Sequence, residues 1–137
     1  MHLTVRAALV LVLGLWFSAE AAGQEALSKR DASGPVTVTV SLLERPVTGA
    51  LLRVKVVLDT HSVGLDGIQF ASAVAVRVPN GSEQPPVTIE KSSGSGHHRE
   101  AVLVFSALRQ AGPLTIVVKD VGGVAVRSFG WEAAALK

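Results

Sequence analysis

The chain of 137 residues contains no cysteine, and its only methionine is Met1. The absence of cysteine excludes disulfides, a thiol acceptor for a lipid anchor and a blue-copper centre, which requires a thiolate ligand. The absence of any other methionine excludes a Cu(I) site made of thioethers. A fold outside the cytoplasm must therefore be stabilised by its hydrophobic core alone.

Aromatic residues are also scarce, at 4% of the chain, and charged residues amount to 18%. The formal net charge is +2 and the basic residues form no cluster, which argues against a nucleic-acid-binding surface built from a basic patch with interleaved aromatics. Hydrophobic residues reach 48%, so a core of Val, Leu, Ile and Ala is available and a disordered chain is excluded. The length corresponds to one small domain.

The N-terminal segment has the pattern of a secretory signal peptide. Arg6 precedes an uncharged hydrophobic stretch at residues 7–17, and the small residues Ala19 and Ala21 match a signal-peptidase site. The stretch is about half of the roughly 20 residues that a membrane-spanning helix requires. We predict that residues 1–21 are cleaved as a signal peptide, that no membrane span is left, and that the protein is periplasmic or secreted.

After a polar stretch, the sequence changes to short runs in which hydrophobic and polar residues alternate. Val36, Val38 and Val40 are separated by threonines, and this period of two is typical of a half-buried β-strand. Turn signals recur at intervals of about ten residues. We predict a flexible polar lead-in over residues 22–34 and an all-β, antiparallel, immunoglobulin-like β-sandwich over residues 35–137. The predicted strands cover residues 36–42, 52–59, 71–78, 87–90, 101–105, 114–119 and 124–131.

Every histidine of the predicted mature chain lies in one of two short motifs, DTHS at residues 59–62 and GHHR at residues 96–99. Both motifs lie at a junction between a predicted strand and a loop. Histidine is the commonest metal-binding side chain, and three imidazoles with one carboxylate suit Zn(II), Cu(II) or Ni(II). If the motifs lie side by side, we expect an exported binding module for such an ion. The predicted ligands are His61, His97, His98 and Asp59.

The same motifs also fit a structural role without a metal. Asp, Thr and Ser side chains form hydrogen bonds with nearby backbone groups and favour turns. A salt bridge from Arg99 to Asp59 or Glu100 would join the two loops. The protein would then be a structural or protein-interaction domain. The residues of this hydrogen-bonded loop lock are Asp59, Thr60, His61, Ser62, Arg99 and Glu100.

An enzymatic role has little support in the sequence. Ser62 follows His61, but adjacency in the chain does not place a hydroxyl within reach of an imidazole, and neither a nucleophile elbow nor an oxyanion-hole motif is evident. Paired carboxylates of a glycosidase would lack aromatic residues against which a sugar could stack. We predict a non-enzymatic protein whose partner is a metal ion or another protein, and not a nucleic acid.

The two motifs, followed by a hydrophobic strand that ends in Phe105, resemble a family of small secreted or periplasmic bacterial β-sandwich domains with no characterised activity. The similarity covers residues 36–131 and rests on DTHSV at residues 59–63 and GHHR at residues 96–99. It implies that the two motifs belong together in the fold. It leaves open whether a metal, a ligand or only hydrogen bonds join the two motifs.

Overall fold

The computed structural model describes residue 23 and residues 26–137, so the predicted signal peptide, residues 1–21, lies outside the described residues. Among the residues described, no helix is long and apolar enough to cross a membrane. Short helical segments are α1 (Phe70–Ala73) and a 3-10 helix (Ala133–Leu136). The strands are β1 (Ser28–Asp31), β2 (Val36–Leu42), β3 (Leu52–Thr60), β4 (Val74–Arg77), β5 (Glu83–Gln84), β6 (Thr88–Ser95), β7 (His98–Phe105), β8 (Leu114–Val121) and β9 (Val124–Trp131).

The strands form two antiparallel sheets whose inner faces share one hydrophobic core. The first sheet has the order β1-β2-β3-β7-β6 and the second has the order β5-β4-β8-β9. Without β1 and β5, these are the A-B-E-D and C-F-G sheets of the immunoglobulin fold. The prediction of an antiparallel, immunoglobulin-like β-sandwich is confirmed, and β1 and β5 are strands that it did not include.

The core has the side-chain pattern that the alternation predicts. Val36, Val38 and Val40 of β2 are fully buried, while the residues between them are partly exposed. Val54 and Val56 of β3 face the same core, and β3 pairs with β2 so that Val40 lies opposite Val56. Burial of these branched side chains on the inner faces, at about 25 cal/mol per Å² of apolar surface, is the main stabilising term of a chain without disulfides.

The segment predicted as a lead-in, residues 22–34, contains the edge strand β1. Ser28 lies opposite Ser41 of β2, and their hydroxyl groups form a hydrogen bond of 2.8 Å. The indole N–H of Trp131 donates to the carbonyl oxygen of Ala26 at 2.9 Å. The sandwich therefore begins earlier than predicted. The alternation does not indicate β1, because its residues are all polar and backbone pairing holds it on the sheet.

The serine- and glycine-rich residues 92–95 form the second half of β6, which pairs with β7 as a hairpin. Ser95 is paired with His98, and Gly96, with φ of 67°, is the first residue of the two-residue turn between them. Gly94 has φ of 85°, and a Cβ at this position would overlap the carbonyl oxygen of His98. The strand predicted over residues 87–90 is only the start of β6, and because all residues of β6 are exposed, no burial pattern indicates the rest of it.

The strand predicted over residues 71–78 is shorter in the structure, because its first residues belong to α1. The backbone N–H of Ala73 donates to the carbonyl oxygen of Gln69 at 2.9 Å, which closes one helical turn. Alanine is the strongest helix former, and the buried Phe70 holds the turn against the core. β4 therefore covers only Val74–Arg77.

Candidate functional site: the histidine loops

The two histidine motifs lie side by side at one end of the sandwich. β3 and β7 pair in a register that places Asp59 opposite His98. Beyond this pair, the backbone N–H of Thr60 donates to the carbonyl oxygen of His97 at 3.0 Å. We call the region formed by residues 33–36, 59–70, 94–100 and 121–127 the histidine end; Val36 pairs with Thr60, and residues 121–127 contact Val36 through Arg127.

His98 bridges two carboxylates on the outer face of the first sheet. Its Nδ1 donates to Oδ1 of Asp59 at 2.5 Å, and its Nε2 lies 3.6 Å from Oε2 of Glu100. The same oxygen of Glu100 is 3.3 Å from Nζ of Lys55. The hydrogen bond to Asp59 raises the pKa of His98 above its ordinary value, and the charges of Asp59 and Glu100 add to this effect. The four residues therefore form a network of alternating charge.

Arg99 joins the hairpin to the loop that follows β3. Its Nη1 donates to the carbonyl oxygens of Leu65 at 2.8 Å and Ile68 at 2.6 Å. The guanidinium carbon lies 4.9 Å from the centroid of the Phe70 ring, within the range of a cation–π contact. Arg99 thus links the two loops, but through backbone carbonyls and not through the predicted carboxylates of Asp59 or Glu100. Those carboxylates contact His98, whose ring occupies the position opposite Asp59.

Backbone groups of the two loops complete the connection. The N–H of Leu65 donates to the carbonyl oxygen of Gly96 at 2.9 Å, and the N–H of Gly96 donates to Oδ1 of Asp66 at 2.9 Å. Leu65 is fully buried, so this exchange of hydrogen bonds sits over the edge of the core. Asp66 was not among the predicted lock residues, because no local spacing relates it to Gly96, which is 30 positions away.

Thr60 has the turn-forming role that the DTHS motif predicts. Its hydroxyl group donates to the carbonyl oxygen of Pro35 at 2.8 Å and accepts from the backbone N–H groups of Ser62 and Val63 at 3.2 and 3.4 Å. Thr60 is buried, which strengthens the requirement that its hydroxyl group be hydrogen-bonded. The contribution of Ser62 to these bonds is its backbone N–H and not its hydroxyl group.

His61 and His97 are exposed, and no hydrogen bond between described residues uses either ring. Within residue 23 and residues 26–137, no group of three or more His, Asp or Glu side chains is arranged to hold a metal ion. Of the four predicted ligands, the structure brings Asp59 and His98 into contact and leaves the other two outside any such group.

A second arginine at this end of the sandwich was not among the predicted site residues. Arg127 of β9 is buried among the strands. Its Nη1 donates to the carbonyl oxygen of Val121 at 2.9 Å. Its Nη2 donates to the carbonyl oxygens of Ser33 and Val36 at 2.6 and 3.0 Å. Burial lowers the pKa of Arg127, and the charge of Asp31, whose Oδ1 lies 3.7 Å from Nε, opposes this shift.

Arg127 joins the second sheet to the start of the first, and a sequence signal for its burial exists. Phe129 and Trp131 follow at intervals of two along β9, and both are buried. Because side chains alternate across a strand, this period places Arg127 on the same inner face. Nε of Arg127 is buried without a hydrogen-bond partner among the described residues, so its guanidinium is held mainly by the three carbonyl groups.

Comparison of the chain with protein-family models, with curated proteins and with solved structures finds no match.

Proposed function

We propose that this protein is an exported, non-enzymatic β-sandwich with a structural or protein-interaction role, and that its two histidine motifs hold together the loops of one end. The pattern of residues 1–21 supports export. The β-sandwich is a framework that commonly presents loops from its ends. In this proposal the histidine end is a rigid support for exposed loop residues.

The contacts of the Arg99 side chain are the observation that carries the proposal. Both of its short hydrogen bonds go to backbone carbonyls of the loop after β3, and its guanidinium carbon lies 4.9 Å from the centroid of the Phe70 ring. Hydrogen bonds from a charged group contribute about 1.5–3 kcal/mol in proteins. A side chain committed in this way stabilises the loops and is not free to bind a ligand.

A site for Zn(II), Cu(II) or Ni(II) made by His61, His97, His98 and Asp59 is the second candidate function. The contact between Asp59 and His98 favours it, because a carboxylate that accepts from one ring nitrogen orients the other nitrogen for a metal. The exposed rings of His61 and His97 are accessible to an ion. Binding would require these rings to move toward His98.

Unfolding of the mature protein with and without metal distinguishes the two candidates. Urea unfolding is measured with excess chelator and with added Zn(II), for the wild type and for Arg99→Ala. The lock predicts that Arg99→Ala lowers the free energy of unfolding by about 2–3 kcal/mol in both conditions. Arg30→Ala is the matched control, since Arg30 is exposed on β1, and it should change stability by less than about 0.5 kcal/mol.

The double variant His61→Ala/His97→Ala tests the second candidate in the same assay. His61 was predicted as a lock residue, but no hydrogen bond between described residues uses its ring, so the proposed lock does not include it. The lock therefore predicts wild-type stability for this variant in both conditions. Stabilisation of the wild type by Zn(II), absent from the double variant, would establish the metal site instead. Loss of stability on Arg99→Ala only in the presence of metal would also contradict the lock.

A further inference from the structure

The opposite end of the sandwich contains an open cavity of about 740 Å³. It lies between the turn after β4, the connection from β5 to β6, and the connection from β7 to β8. Pockets that bind small molecules usually measure about 300–1,000 Å³, so the size fits one such ligand. We call the region formed by residues 76–87 and 106–114 the proline end. None of the lining residues belongs to the histidine loops.

The walls of this cavity are held in place by the backbone. Four of the six prolines of the chain line it, and the ring of each fixes its own φ angle. The carbonyl oxygen of Leu108 accepts from the N–H of Gly49 at 3.0 Å, which ties the β7–β8 connection to the β2–β3 connection. A wall with few free torsions loses little entropy when a ligand binds. The prolines are Pro79, Pro85, Pro86 and Pro113.

The lining combines apolar side chains, uncharged polar side chains and two arginines. Val76 and Leu114 are buried at its base, whereas Val87 is 59% exposed at its rim. The ionisable side chains in the lining are Arg77 and Arg109, with no carboxylate among the described lining residues. An apolar wall beside arginines complements a ligand that has an apolar body and an anionic group.

The two arginines differ in how far their charge is already neutralised. Nη2 of Arg77 lies 3.2 Å from Oε1 of Glu83, whose other oxygen is 2.6 Å from Nζ of Lys119. Arg109 is exposed and forms no ion pair with any residue in the described part of the chain. Its guanidinium is therefore the free cation of the cavity, and its planar fork of donors matches a carboxylate.

We propose that the proline end binds a small amphipathic carboxylate, with Arg109 holding the carboxylate and the valine, leucine and proline wall holding the aliphatic body. A cationic ligand of the same shape would meet two arginines and no acidic lining residue. An uncharged ligand would gain the apolar contact alone. The order of affinity is therefore set by the charge of the head group.

Three probes with the same eight-carbon chain test this order: octanoate, octan-1-ol and octylamine. Binding to the mature protein is followed by NMR through backbone amide shifts. Octanoate is expected to bind most tightly, and the shifts are expected at Gln84 and Gln110 in the lining and not at the histidine end. Octylamine is expected to bind least tightly of the three probes.

Arg109→Gln tests the contribution of the Arg109 charge separately from that of the apolar wall. Loss of one charge-assisted contact is expected to weaken octanoate binding about tenfold and to leave octan-1-ol binding unchanged. Arg30→Gln, an exposed arginine outside the cavity, is the matched control and should leave both affinities unchanged. Because Arg109 is exposed, the variant is expected to fold, and its unfolding midpoint checks this.

Three results would overturn the proposal. One is the absence of octanoate binding up to its solubility limit, and another is octylamine binding as tightly as octanoate. The third is an unchanged octanoate affinity in Arg109→Gln. Weakening of all three probes by Val87→Asn, with their order preserved, would support the assignment of the apolar wall.

Discussion

The histidine end and the proline end of the sandwich differ in what their arginines contact. At the histidine end, Arg99 and Arg127 donate to backbone carbonyl groups of neighbouring segments and are at least partly buried. At the proline end, Arg109 is exposed beside a cavity and forms no ion pair with the described residues. The first pair of arginines contacts the fold itself, and the third is the residue that we propose to bind a ligand.

This difference concerns contacts and does not follow from how conspicuous a motif is in the sequence. The histidine end has the more conspicuous sequence, yet much of its hydrogen-bonding capacity is used within the chain. The proline end has no motif, and its prolines and valines resemble ordinary turn and strand residues. Its chemistry becomes visible only when three connections that are distant in sequence meet around one cavity.

Among substitutions at the histidine end, that of Arg127 is expected to destabilise the fold most. Arg127→Ala leaves three carbonyl groups without their donor and opens a cavity between the sheets. We expect a loss of about 3–5 kcal/mol in the free energy of unfolding, measured by urea denaturation. Arg45→Ala is the matched control at the other end, since Arg45 donates to the carbonyl oxygen of Ala135 at 2.8 Å on the exposed surface. It should cost less than about 0.5 kcal/mol.

A loss below about 1 kcal/mol for Arg127→Ala would show that the buried guanidinium is not a main support of the fold. If the alanine variant does not fold, Arg127→Lys decides the question. Lysine keeps the charge but not the planar fork that reaches carbonyls on two segments, so we expect intermediate stability.

Two glycines with nearly the same φ angle allow the tightness of packing at the two ends to be compared. Gly94 at the histidine end has φ of 85°, and Gly81 in the turn after β4 has φ of 86°. A Cβ at Gly94 would overlap the carbonyl oxygen of His98, whereas nothing lies within 4 Å of a Cβ at Gly81. Gly81→Ala should therefore cost only the strain of a positive φ, about 1 kcal/mol, and Gly94→Ala about 3 kcal/mol.

Thermal and urea unfolding of both variants measure this difference, and each glycine is the control for the other. Equal losses in the two variants would mean that the hairpin backbone at Gly94 relaxes freely. The histidine end would then be less tightly packed than its contacts indicate.

The sequence was sufficient to predict the core strands and the edge strand β9, but not β1, β5 or most of β6. The alternation in β2 and β3 places Val38 and Val56 inside, because both strands are buried on one face only. β1 and β6 have no buried face that a pattern could report, and they exist through backbone pairing with β2 and β7. Strands held in this way leave almost no trace in side-chain hydrophobicity.

The sequence named only part of the hydrogen-bonded contacts at the candidate site and not their partners. No hydrogen bond between described residues uses the ring of His61 or the hydroxyl group of Ser62, and Asp66 was not predicted. Residues Asp59, Thr60 and Arg99 were named as lock residues, and all three contribute contacts between or within the loops. The acceptors of Arg99 are backbone carbonyls, which every residue possesses and which therefore carry no sequence signature. The contact between His98 and Asp59 depends on the register of β3 and β7, and the spacing of the motifs does not determine this register.

The charge network around His98 is expected to have the smallest effect on stability, and it depends on pH. Because contact with Asp59 raises the pKa of His98 in the folded state, protonation stabilises the fold. This contribution is fully present below the unfolded-state pKa of about 6.5 and is lost as the pH rises through the higher folded-state pKa. Asp59→Asn should lower the pKa of His98, measured by NMR titration of its ring, and flatten this part of the stability profile. His97→Gln, at the turn residue next to His98, is the control and should leave the pKa of His98 and the stability profile unchanged. An unaltered His98 titration in Asp59→Asn would show that the two side chains do not interact in solution.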